Sequence, residues 1–169
     1  MKGLLRTIPH FKGKFRLVRF LFSRKLKTSK NITVTGRYGL IYHLPNLMEN
    51  IAFEIFADGI YEKGTSDLII KKIPHNGVML DIGANIGSIT MPVCKVRPDV
   101  KVICIEASHN VFNYLEKNIS ANKFENCVLV NSAISEADNQ QVVFSTRMIC
   151  LGKDQWHLPL PVQVRRLKL

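Results

Sequence analysis

The run Asp81-Ile82-Gly83-Ala84-Asn85-Ile86-Gly87-Ser88-Ile89-Thr90 decides how the rest of the chain is read. It has the form of a strand end, a slender bend and the start of a helix. Gly83 permits a tight turn, and Ala84 and Gly87 keep the chain slim enough for a ligand to lie against backbone. In a parallel sheet such a bend sits at the carboxyl edge, where ligands bind. Asp81, just before it, suits an ammonium group and would repel a pyrophosphate. Glu106 follows 25 residues later, at the end of the apolar run KVICIE. An acid in that place can accept hydrogen bonds from both hydroxyls of a ribose. Together the two acids describe a ligand with a ribose and a cationic, amino-acid-like end, which is S-adenosyl-L-methionine. A dinucleotide loop fits less well, because G-x-G-x-x-G needs its third glycine one residue later and no acid where pyrophosphate would lie.

Outward from this loop, strand and helix alternate. VMLDIG (78–83) precedes a helical stretch to about Val96. A strand follows at 101–106, a helix at 111–122 and a strand at 127–133. Strands apolar on both faces and separated by helices predict a parallel sheet covered on two sides, a doubly wound α/β core. Pro92 falls inside the first crossover helix and predicts a bend or a late start there. Upstream, ITVTGRYGLIYHL reads as a hairpin split by Gly36 and Gly39. Asn50 is the expected N-cap of IAFEIFAD and Gly59 its stop, and a second helix should end before Pro74. These elements should form a lid or an extra layer. The expected organisation is a basic segment at 1–30, a hairpin and helices at 31–76, and a partial cofactor-binding domain at 77–169.

The chain has 169 residues, 46% of them apolar, which fits one globular domain and excludes a disordered tail. No run reaches the roughly 18 apolar residues of a spanning helix. Cys94, Cys104, Cys127 and Cys150 form no C-x-x-C pair and lie mostly in apolar runs, so they read as reduced core thiols of a cytoplasmic protein. Of the 24 basic residues, eleven precede Glu49, the first acid, and the remainder balance the 13 acids. The formal charge of +11 therefore belongs to the N-terminal segment. There, Phe11, Phe15, Val18 and Phe22 recur at helical spacing among lysines and arginines. Such a helix lies peripherally on an anionic membrane surface, tracks nucleic-acid phosphates, or packs its stripe on the domain with its charges solvated. Metal binding has no support: the histidines lack partners at ligand spacing. His109, beside Ser108 and Asn110, reads as a helix-start residue before a base, and Trp156 as a local hydrophobic anchor.

The run from Gly59 to about Phe144, with GIYEKG, VMLDIGANIGSIT, then E-A and an N-x-x-x-N helix, resembles the FkbM-type methyltransferases, a class I S-adenosylmethionine-dependent family. The resemblance implies a Rossmann-like class I methyltransferase fold. It also implies cofactor contacts by Asp81, Gly83, Ala84, Asn85 and Gly87, with Glu106 on the ribose hydroxyls and Ala107 beside the adenosine. Ser132 and Ala133 would border the adenine, and Tyr61 and Glu62 would stand near the cofactor entrance. The reaction it implies is O-methylation of a hydroxyl on a sugar or other metabolite, the acceptor being a small molecule or glycan, with nucleic acid disfavoured. Family members carry a fourth core strand with a K-x-D-x-E-G-like motif, whereas here VQVRRL leads only to Lys168-Leu169. The expectation is a truncated member with an incomplete second half of the sheet, no identified catalytic base, doubtful turnover by itself, and a first strand exposed as an edge for self-association. A non-enzymatic alternative makes the chain a basic module that engages membrane or nucleic acid through its N-terminal segment.

Overall fold

The computed structural model describes residues 11 and 13–134, the Lys25 side chain apart, and beyond them the backbone of short strands within 141–165. The basic segment forms α1 (Lys14–Leu21) and α2 (Ser23–Thr28). A hairpin follows, β1 (Lys30–Thr35) against β2 (Ile41–Asn46), antiparallel as its alternation predicts. Next come α3 (Asn50–Asp58) and α4 (Lys63–Lys72). Gly59 ends α3 as expected, but the N-cap is Glu49 and not Asn50. The cause lies upstream: the Asn46 side chain accepts the N–H groups of Met48 (2.8 Å) and Glu49 (3.2 Å) and turns the chain into the helix one residue early.

The central sheet contains β3 (Val78–Ile82), β4 (Lys101–Glu106) and β5 (Cys127–Asn131), all parallel in the order β3-β4-β5. Its crossovers are α5 (Thr90–Val96) and α6 (His109–Ala121). The helix α5 starts late, so that Pro92 occupies its first turn, where a missing N–H costs nothing. Beyond β5, the short strand β6 (Ala133–Ile134) pairs in parallel with β10 (Leu160–Arg165), which pairs antiparallel with β7 (Gln141–Phe144). The strands β8 (Arg147–Cys150) and β9 (Lys153–Trp156) make a separate antiparallel pair. The Trp156 side chain, His157 and residues 166–169 lie outside what the structure describes.

Both faces of the central sheet are apolar, and among the described residues both crossover helices cover the same one, while the reverse face is buried at Ile105 and exposed toward β3. Two successive right-handed crossovers in the same direction put α5 and α6 on the same side. On that face Val102 and Cys104 are fully buried. On the other, Val78 and Ile82 are 63% and 59% exposed, and Leu80 and Val128 also meet solvent. The expected parallel α/β sheet is present with its crossover helices on one side, and among the described strands β3 lies at the edge of its sheet. The hairpin and α3 form an added layer, sharing one buried cluster with the covered face through Leu44, Phe53, Met91, Leu115 and Ile119. Val18 of α1 and Leu26 of α2 enter the same cluster. Among the described residues no helix is long and apolar enough to cross a membrane.

Candidate functional site

Register places the two carboxylates together. Asp81 stands opposite Cys104, and Glu106 lies two residues further along the same face, opposite Asn131. The half-buried Asp81 accepts a hydrogen bond from the Thr90 hydroxyl. Burial pushes its carboxyl above the ordinary aspartate range, and the Thr90 bond opposes that shift in part. Thr90 Oγ1 also lies 3.2 Å from Cys104 Sγ, which is 3.4 Å from Cys127 Sγ. The Cys127 contact, followed by burial, raises the Cys104 thiol far above its usual range, so it is a core group and not a nucleophile. Cys94, Cys104 and Cys127 are all free thiols.

The loop is closed by main-chain bonds onto β4. Gly83 and Ala84 N–H both donate to the Ile105 carbonyl, at 2.8 and 3.0 Å. Asn85, in the left-handed region at φ 52°, donates its N–H to Glu106 Oε2 at 2.9 Å. Glu106 Oε1 accepts the Ser108 N–H at 2.8 Å, and the Glu106 carbonyl accepts the Ser132 N–H at 3.1 Å. A single buried carboxylate therefore ties the ends of two strand-to-helix connections. Each of its oxygens keeps a second lone pair for a further donor. Gly83, at φ 77°, is exposed, and an added Cβ would meet nothing within 4 Å. This open side of the bend, next to Asp81, fits the amino-acid end of S-adenosyl-L-methionine, and Glu106 fits its ribose.

The other small residues of the loop are closely packed. Ala84 is buried, and a Cβ at Gly87 would come within 3.0 Å of Leu115 and 3.4 Å of Met91. The absence of a side chain at Gly87 lets Leu115 of α6 and Met91 of α5 close on the loop. Ser132 is buried beside the half-exposed Ala133, and Asn131 Nδ2 donates to the Glu106 carbonyl (2.8 Å) next to half-exposed Ala107. Glu62 is exposed at the start of α4, with hydrogen bonds to Glu54 and Thr65 that do not join it to the loop. His109 is exposed on the first turn of α6, with Nδ1 3.1 Å from Asn131 Oδ1. His75 pairs with Asp99, and no cluster among the described residues could hold a metal.

A residue to which the sequence reading gave no role organises this region. Asn118 is fully buried on α6; its Oδ1 accepts the His43 N–H (2.6 Å), and its Nδ2 donates to the carbonyls of His43 (3.3 Å) and Ile86 (2.8 Å). One turn later, Asn122 binds the N–H and carbonyl of Ile41 in the same way. The two amides act as a surrogate strand along the edge of β2, and Asn118 alone extends the link to the loop. The N-x-x-x-N spacing was the visible signal, since residues four apart share a helix face.

Comparison with known proteins covers this same region. The profile of the TRM5/TYW2 methyltransferase domain matches residues 56–155, a span holding the loop, both carboxylates and Asn118. The chain belongs to the TRM5/TYW2 methyltransferase domain family. The methyltransferase reading of the motifs stands, with TRM5/TYW2 and not the FkbM type as the family matched. The chain is 27% identical over 143 residues to the tRNA(Phe) (4-demethylwyosine(37)-C(7)) aminocarboxypropyltransferase of Methanocaldococcus jannaschii, covering 83% of this chain and 51% of that protein. It thus spans about half the length of that curated relative. Among solved structures, M. jannaschii TYW2 in complex with AdoMet has a TM-score of 0.46 and 24% identity, over 61% of this chain and 44% of that one. P. horikoshii TYW2 in complex with MeSAdo gives 0.44 and 23%, over 61% and 36%.

Proposed function

We propose that this chain supplies the S-adenosyl-L-methionine-binding half of a TRM5/TYW2-type transferase that modifies a nucleoside of tRNA. The observation that carries the reading is the Glu106 carboxylate, buried at the end of β4 and clasping Asn85 and Ser108, one strand from Asp81 on the same face. Glu106 would take the ribose hydroxyls, and Asp81 the ammonium of the methionine part. Asn118 would keep the bend in register. The bound sulfonium offers an acceptor either its methyl carbon or the aminocarboxypropyl carbon on its other side. The named relative points to tRNA as acceptor, a correction to the expectation that disfavoured nucleic acid.

A second reading keeps the cofactor and changes the acceptor to a hydroxyl of a sugar or other metabolite. The Gly59-Ile60-Tyr61-Glu62 segment and the Asn118/Asn122 pair, which fit the FkbM-type pattern, favour it.

Calorimetry on the intact chain tests the cofactor site. S-adenosyl-L-methionine should bind, and Glu106→Ala should weaken it by about a hundredfold, the loss of charged hydrogen bonds worth about 3 kcal/mol. Failure to bind at millimolar cofactor would overturn the reading. Cofactor labelled separately on methyl and on carboxyl, incubated with the chain and tRNA, tests the acceptor. Label in tRNA supports the first reading and identifies the group moved; label entering only sugar hydroxyls overturns it for the second.

A further inference from the structure

Of the amphipathic stripe read in the N-terminal segment, Phe15, Val18 and Phe22 pack inside the molecule, while Phe11 is exposed. Val18 and Leu26 are buried, Phe15 packs edge-on against Phe53 with ring centres 5.7 Å apart, and Phe22 meets Phe56 at 6.5 Å. Arg19 lies 4.5 Å over the Phe53 ring and donates to Asn50 Oδ1, while buried Lys14 pairs with Asp58 at 2.7 Å. These contacts fix the roll of α1 and leave a second apolar face outward. Leu17, Phe20 and Leu21, at spacings of three and one, are 47%, 79% and 62% exposed. Exposed Arg16, Arg24 and Lys27 surround them, and no acid precedes Glu49 in the sequence. An open groove of about 420 Å³ adjoins the patch at the α1–α2 junction, lined by Leu21, Phe22, Ser23, Arg24 and Thr28.

We infer that this outward face of α1 and α2 docks on an anionic lipid bilayer surface. Three large apolar side chains on one helix face can enter the boundary between headgroups and acyl chains, while the arginines and lysine around them stay at the phosphates. RNA fits the charges but not the apolar set. Phosphates do not reward burial of two leucines, and of Leu17, Phe20 and Leu21 just Phe20 has a ring on which a base could stack. The groove beside Arg24 and Ser23 is placed to receive a headgroup. The patch is separate from the cofactor loop, so docking and cofactor binding should vary independently.

The test is sedimentation of the full chain with vesicles of phosphatidylcholine containing phosphatidylserine, with phosphatidylcholine vesicles and tRNA as the other arms. The unaltered chain should sediment with the anionic vesicles and much less with the neutral ones. Both Phe20→Glu/Leu21→Glu and Arg16→Glu/Arg24→Glu should lower the partition at least about tenfold, given roughly fivefold per basic group near the surface. All these side chains are exposed, so thermal unfolding and cofactor affinity should stay as in the parent. Equal sedimentation of parent and variants would overturn the inference. So would equal binding to neutral vesicles, or binding to tRNA that depends on the arginines while anionic vesicles are ignored.

Discussion

The two faces of the central sheet both carry apolar strand residues, yet the crossover helices pack on one of them, and at β3 the difference in exposure is large. Val102 and Cys104 look inward at α5 and α6 and are fully buried; Val78, Leu80 and Ile82 on the reverse side are exposed. What separates them is the hand of the connections, which carries both helices to one side. Strand composition shows where the sheet is, while the path of the connections shows which face gets covered. The largest effect follows directly. Val102→Asp places an unpaired carboxylate in the core and should cost at least about 4 kcal/mol, enough to unfold the chain. The same change at Val78 should stay within about 0.5 kcal/mol, the range of exposed positions. Denaturant midpoints of the two variants decide it, and comparable losses at both positions would mean that the reverse face is packed after all.

A second pair of substitutions sharpens the comparison within the covered side. Asn118→Ala strands the His43 N–H and the Ile86 carbonyl in a buried place, at a cost of about 2–4 kcal/mol. Asn122→Ala removes a similar pair of bonds from Ile41, but in an exposed position where water can replace them, for about 1 kcal/mol or less. The decisive readout is cofactor affinity measured on folded protein. It should fall for Asn118→Ala, which frees the loop, and hold for Asn122→Ala, which frees only the hairpin. Equal affinities would reduce Asn118 to a structural residue.

Legibility follows the range of the interactions. The span of β4 agrees residue for residue with the apolar run from Lys101 to Glu106, because period and composition are local. The late start of α5 was readable from Pro92 for the same reason. Asn46 displaced Asn50 as the entry to α3 through a competing local hydrogen bond that spacing alone does not rank. The N-x-x-x-N spacing marked Asn118, but its role was beyond reach, since its hairpin partner lies 75 residues away. The clasp in which Arg97 grips Asp99 and the carbonyls of Ile70, Ile73 and Pro74 was hidden likewise. Within the site, the positions of Asp81 and Glu106 were legible from strand ends. The close packing of Gly87 against Leu115 was not, because it depends on where α6 comes to rest.

The smallest effect distinguishes the site from the fold around it. The Asp81 carboxyl is raised by burial, with the Thr90 bond opposing, so on acidification it takes up a proton at a higher pH in the folded chain than in the unfolded one. Between those two pKa values the folded state holds more protons, so falling pH stabilises the fold on account of this residue. Cofactor binding has the opposite sign, because protonation removes the negative charge that faces the ammonium. Titrating affinity by calorimetry should show an acid limb above the ordinary aspartate range, with a loss of about tenfold, or about 1.4 kcal/mol. The melting temperature should not fall in parallel through Asp81. In Asp81→Asn, whose side-chain oxygen can still accept from Thr90, affinity should rest at the level of the acid limb and the limb itself should vanish. An unchanged limb in that variant would place the titrating group elsewhere and separate Asp81 from the cofactor's charge.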